Sequence, residues 1–133
     1  MIKINAYLTF NGNCREAMSF YRRCFGGKLT FQVLGDYPGA DRLPLPMQLT
    51  ILQGTLINDQ LTLIGSDMVS EQGLSKGNSV SLMLCCSSEE ELKACYKKLI
   101  SGGKVIHRPE RTYWDALFGV LQDRYGHQWL LSC

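Results

Sequence analysis

One segment of this chain is written twice. Residues 13–27 read N-C-R-E-A-M-S-F-Y-R-R-C-F-G-G, and residues 88–103 read S-E-E-E-L-K-A-C-Y-K-K-L-I-S-G-G. In each, a capping side chain (Asn13, Ser88) stands three residues before a glutamate (Glu16, Glu91), the pattern of a capping box. Apolar residues follow at Ala17, Phe20, Tyr21, Cys24 and Phe25, and at Leu92, Cys95, Tyr96, Leu99 and Ile100. Both sets keep the i, i+3, i+4 spacing of a helix with one buried face. Both end at a Gly-Gly pair followed by lysine (Lys28, Lys104). The repeat is about 75 residues long, slips by one at the second Gly-Gly, and takes up half of the chain. Such a chain is expected to fold as two copies of one supersecondary unit, with any ligand bound between them.

The rest of the chain supplies strands around each helix. Residues 2–10, 28–34, 47–57 and 61–64 read as strands in the first copy, the last two joined by a tight hairpin at Asn58-Asp59-Gln60. Residues 35–46 carry three prolines and are expected to form a loop. In the second copy, strands are expected at 79–86, 104–107, 118–122 and 127–132, with a loop at 109–115 and a turn at Asp123-Arg124-Tyr125-Gly126. Each copy is then β-α-β-β-β. The predicted organisation is a single domain of two modules, residues 1–67 and 79–133, joined by a linker at 68–78. One helix covers only one face of a four-stranded sheet. Two such modules side by side form an α+β fold with an open eight-stranded trough, and a trough of this kind is a place for a ligand.

Composition narrows the function classes. A formal net charge of +2 and no basic run longer than Arg22-Arg23 or Lys97-Lys98 argue against a nucleic-acid partner. No apolar stretch approaches the ~18 residues of a membrane span. The first residues enter an alternating strand pattern without a leader, so the expectation is a soluble cytoplasmic protein with no membrane partner. The six cysteines include no C-x-x-C pair, and Cys24 and Cys95 fall on apolar helix faces, where a reduced cysteine acts as a small hydrophobe.

Tyr7-Leu8-Thr9-Phe10-Asn11-Gly12-Asn13-Cys14, then Ala17, Phe20-Tyr21 and Phe25-Gly26-Gly27, resemble the opening of PhnB-like proteins. So do Gly65-Ser66-Asp67 and Trp114…Phe118-Gly119-Val120…Asp123…Tyr125-Gly126-His127-Gln128-Trp129. These proteins are a branch of the vicinal oxygen chelate superfamily, which includes glyoxalase I, bleomycin-resistance proteins and extradiol dioxygenases. The resemblance implies paired β-α-β-β-β modules, a homodimer whose subunits complete each other's clefts, and a small-molecule ligand. Metal-dependent members hold their ion with His, Gln or Glu from the first and last strands of each module. Those positions fall here at Ala6, Leu63 (or Thr62), Ser81 and Leu130, so neither metal nor other cofactor is expected.

The expected cleft is lined by Ala6, Leu8, Asp67, Ser81, Met83, His107, Trp114 and Leu130. His107 is a candidate base or anion contact, against the plainer reading of a solvated strand end. Trp114 suits stacking on a flat ligand, an interface, or plain packing. It sits in Trp114-Asp115-Ala116-Leu117 where relatives have Trp-Gly-Asp-Arg. Asp67 is a polar cleft residue or a turn cap, and His127 a residue of the terminal turn. The leading expectation is a binding protein that sequesters a small molecule in an apolar cleft. The alternative is an enzyme with a non-standard site using His107, Glu110, Asp115 or Asp67.

Overall fold

A computed structural model describes residues 1–133, and the chain divides into two compact units, Met1–Leu74 and Ser75–Cys133. The first unit contains β1 (Ala6–Thr9), α1 (Cys14–Phe25), β2 (Lys28–Val33), a single helical turn α2 (Leu45–Gln48), β3 (Ile51–Ile57) and β4 (Thr62–Ser66). The second contains β5 (Leu82–Cys85), α3 (Glu89–Leu99), β6 (Lys104–Arg111), β7 (Leu117–Gln122) and β8 (Gln128–Ser132). The fold is α+β, two tandem β-α-β-β-β modules, each with its own four-stranded sheet.

The sheets run β1-β4-β3-β2 and β5-β8-β7-β6. In each module the first and last strands pair in parallel, and the remaining pairs are antiparallel. The helix carries the chain from one sheet edge to the other, and the three later strands return as a meander. The apolar stripes of the two helices are buried: Ala17, Met18, Phe20 and Tyr21 on α1, and Leu92, Tyr96 and Leu99 on α3. Gly54 and Gly65 pair across β3 and β4, Gly65 making room for α1 and Gly54 chiefly for the Phe31 ring. A Cβ on Gly65 would lie 2.8 Å from the Met18 sulfur, so glycine here is a packing requirement. Gly119 plays the same part under Tyr96.

Four expectations need correction. β1 begins at Ala6, and Ile2 and Ile4 are 94% and 92% exposed, because its partner β4 begins only where the turn at Asn58 has closed. Met47 belongs to the helical turn α2, which Pro44 and Pro46 start with φ already helical, and β3 opens at Ile51. Gly65 and Ser66 extend β4 beyond Ile64. β6 continues through Pro109 to Arg111 as an edge strand whose register shifts twice, between Val105 and His107 and between His107 and Glu110. An edge strand with bulges tolerates a residue that has no N–H to donate.

The helix starts also differ from their shared pattern. Ser88 accepts from the Glu91 N–H at 3.1 Å, and the Glu91 carboxylate accepts from Ser87. Asn13 makes no such cap. The start of α1 is held by Asp67, whose Oδ1 accepts from the N–H groups of Gly12 at 2.9 Å and Cys14 at 3.0 Å.

Candidate functional site

In the second module, Leu121, Trp129 and Leu131 are buried on the side of the sheet that α3 covers. Side chains alternate along a strand, so the residues between them face the other way. Strand pairing sets these in rows across the sheet. One row runs Met83, Leu130, Val120, His107. The next runs Cys85, Ser132, Phe118, Glu110. Three adjacent strands thus present an apolar strip of Met83, Leu130, Val120 and Phe118. Met83 is 56% exposed, Leu130 and Phe118 are half-buried and Val120 is buried. The matching row of the first module is Tyr7, Ile64, Thr55, Thr30, which turns polar after two strands.

His107 closes the apolar strip on the edge strand. Its ring lies 6.5 Å from that of Phe118, and its Nε2 is 3.9 Å from a Glu110 carboxylate oxygen. Both side chains of that pair are well exposed, so the attraction itself is weak. The backbone around His107 is better held. The Tyr96 hydroxyl reaches through from the helix side to the carbonyl oxygens of His107 (3.2 Å) and Val120 (3.0 Å). It supplies a donor where the bulges of β6 interrupt the ladder. Burial pushes the Tyr96 hydroxyl pKa up, while Arg108 pulls it down. The hydroxyl stays protonated and donates.

Beyond β6 the chain turns at a five-residue tip. The Thr112 N–H donates to the Ala116 carbonyl at 2.8 Å, and the Ala116 N–H to the Thr112 hydroxyl at 3.1 Å. Asp115 takes a left-handed φ of 62° to close it. Tyr113 and Trp114 stand at the tip in an edge-to-face pair with centroids 4.7 Å apart, and Tyr113 is 97% exposed. Arg111 anchors the tip through an ion pair with Glu89, the first residue of α3, and a 3.4 Å contact to the Asp115 carbonyl.

Of the eight residues expected to line a cleft, Met83, His107 and Leu130 share this one face, with Trp114 on the adjoining hairpin. Ser81 lies one residue before β5. Ala6 and Leu8 are corrected: they pair with Leu63 and Gly65, the residues that face α1, so they belong to the helix side of the first sheet. Tyr7 and Thr9 take the opposite face. Asp67 is committed to capping α1. It also raises the pKa of Cys14, though burial is the larger cause, and the two push that thiol up to about 12. Phe118, Val120 and Tyr96 were not singled out from sequence as site residues. The alternation of Phe118 and Val120 about Gly119 was the available signal for the first two.

His127 lies in the terminal turn, where the Asp123 carboxylate accepts from the Tyr125 N–H at 2.8 Å, the His127 N–H at 3.0 Å and the Trp129 indole at 2.8 Å. Burial lowers the His127 pKa against the opposing pull of Asp123, with Lys76 adding to the lowering.

The metal positions of the resemblance also shift by one in the first module. Thr9 and Ser66 pair as Cys85 and Ser132 do, which makes Asn5 the counterpart of Ser81 and Ile64 that of Leu130. An amide, a hydroxyl and two alkyl groups are not a donor set for a divalent ion. No group of three or more His, Cys, Asp or Glu side chains suited to a metal occurs in the structure.

The family model described as the glyoxalase/bleomycin resistance protein/dioxygenase superfamily matches residues 3–131. The chain belongs to this superfamily. It is 32% identical to protein PA1353 from Pseudomonas aeruginosa, whose crystal structure it matches with a TM-score of 0.86 over 100% of this chain and 98% of that one. Protein YjdN of Escherichia coli is 26% identical over 97% of this chain and 93% of its own length. A Bacillus cereus PhnB protein, titled a putative 3-demethylubiquinone-9 3-methyltransferase, shares the fold at a TM-score of 0.76 and 24% identity, covering 98% of each chain. That last likeness is one of fold. No helix of this superfamily member is long and apolar enough to cross a membrane.

Proposed function

We propose that this superfamily member binds a small, largely apolar molecule on the open sheet face of its second module, without a metal ion. The row Met83, Leu130, Val120, His107 carries the reading. It offers apolar area on three strands and ends in one polar ring, and the hairpin that carries Val120 and His107 bears the Tyr113–Trp114 pair at its tip. Sites for small ligands combine an apolar lining with a few placed polar groups in this way. Titration with an apolar fluorescent dye such as anilinonaphthalene sulfonate tests it. Leu130→Asp should weaken binding at least about tenfold, or about 1.4 kcal/mol. Ile64→Asp, its counterpart in the first module, should leave binding intact, and a chelator should change nothing. Equal loss in the two variants overturns the assignment.

The second reading is an enzyme with a non-standard site. It rests on His107 and Glu110, which meet at the edge of the same face. Asp67 is removed from it by its capping role. We also infer self-association as a homodimer. β1, β2, β5 and β6 are sheet edges, edges invite covering, and Tyr113 and Trp114 are aromatic surface of a kind enriched in interfaces.

A further inference from the structure

The ends of β5 and β8 place two cysteines side by side. Cys85 pairs with Ser132 in the parallel ladder, and the Cys86 N–H donates to the Ser132 carbonyl at 2.7 Å. In a parallel ladder that bond makes Cys86 and Cys133 the next aligned pair. Aligned residues share a sheet face, here the side of Leu84, Leu131 and the first turn of α3. Neighbouring strands run about 4.8 Å apart, within the 4.4–6.8 Å Cα separation that disulfides span. Both cysteines are half-buried and reduced. Cys85, one residue earlier on its strand, projects from the opposite face. The first module has no such pair: Phe10 and Asp67 occupy the equivalent positions, the Phe10 N–H donating to the Ser66 carbonyl at 2.7 Å.

We propose that Cys86 and Cys133 form a redox site, closing reversibly into a disulfide when the chain meets a low-molecular-weight disulfide. One protein thiolate attacks a sulfur of the small disulfide and releases one small thiol. The second protein thiolate then attacks the protein sulfur of this mixed disulfide and releases the other small thiol. The protein loses two hydrogens, and the small disulfide is reduced to two thiols. Burial, followed by the charges of Glu91, Cys133 and Cys85, holds the Cys86 thiol above its usual range, so closure speeds up as pH rises. The bond fastens β5 to β8, the strands that carry Met83 and Leu130. It also closes a long loop, which constrains the unfolded chain.

The test treats the full, reduced chain with oxidised glutathione. Intact mass should fall by two hydrogens. Trypsin should then release peptide 77–93 joined to peptide 125–133, and dithiothreitol should separate them. The link should form in wild type and in Cys85→Ser and be lost in Cys86→Ser and Cys133→Ser. The oxidised wild type should melt several degrees higher than the reduced form. A link that persists in Cys86→Ser, a link between chains, mixed disulfides that never close, or no oxidation at all overturns the proposal. Differential alkylation of oxidised wild type identifies the two protected cysteines without any variant, should a substitution fail to fold.

Discussion

Asp67 separates a structural from a ligand-binding role more sharply than any other residue. It follows the last strand of the first module, yet its Oδ1 accepts from two orphan N–H groups at the start of α1, 53 and 55 residues away in sequence. Asp67→Ala removes both bonds and a negative charge at a helix N-terminus. Loss of an N-terminal cap costs about 0.5–2 kcal/mol, and the charge contributes about 0.3–1 kcal/mol of its own. One bond is exposed and the other half-buried, which places the expected loss at about 1–2 kcal/mol. At roughly 3–4 °C per kcal/mol for a chain of this size, the thermal midpoint should fall by about 3–8 °C. Asp67→Asn keeps an acceptor and should lose well under half as much. Dye binding should be unchanged in both variants. Cys14 should stay unreactive toward thiol reagents, since burial is the first cause of its raised pKa. Urea denaturation of the three proteins settles the matter. An Asp67→Ala variant of full stability that no longer binds dye refutes the capping argument.

Gly65→Ala should destabilise by about 1–3 kcal/mol, because its Cβ would meet Met18 and Cys14 inside the core; a neutral result in urea denaturation counts against the proposed seat of α1. His127 has a folded pKa below its unfolded 6.5, so the unfolded chain binds the extra proton. Stability is then full above pH 6.5 and declines as pH falls below it, and His127→Gln should flatten that part of the profile. Sedimentation at tens of micromolar should give a mass near twice 15.0 kDa; a monomer contradicts the homodimer.

The repeat was legible because helix stripes and Gly-Gly stops are local signals. Phe20 and Leu99 fall in the core as their spacing requires. The face of β1 was not legible. Ala6, Tyr7, Leu8 and Thr9 suit either side of a sheet, and a one-residue slip reverses all of them. The helices repeat at an interval of 75, the first strands at 76 (Thr9 with Cys85) and the last strands at 66 (Ser66 with Ser132). An alignment on the helices therefore carries Ala6 to the wrong face, and Leu63 falls one residue short of Ile64, the counterpart of Leu130. The Asp67 cap was hidden because it joins residues distant in sequence, while Asn13 offered a local cap that does not form. The segment from Pro109 reads as a loop because the bulges that keep it in the strand depend on β7.

A ligand on the apolar face of the second sheet, held without a metal, should leave its mark on the residues of that face. The measurement is of amide and methyl chemical shifts of the chain, titrated with anilinonaphthalene sulfonate in the presence of a chelator. Shifts should concentrate at Met83, His107, Phe118, Val120 and Leu130. Shifts centred on Tyr7, Ile64 and Thr55 instead, or binding that vanishes with the chelator, would contradict this.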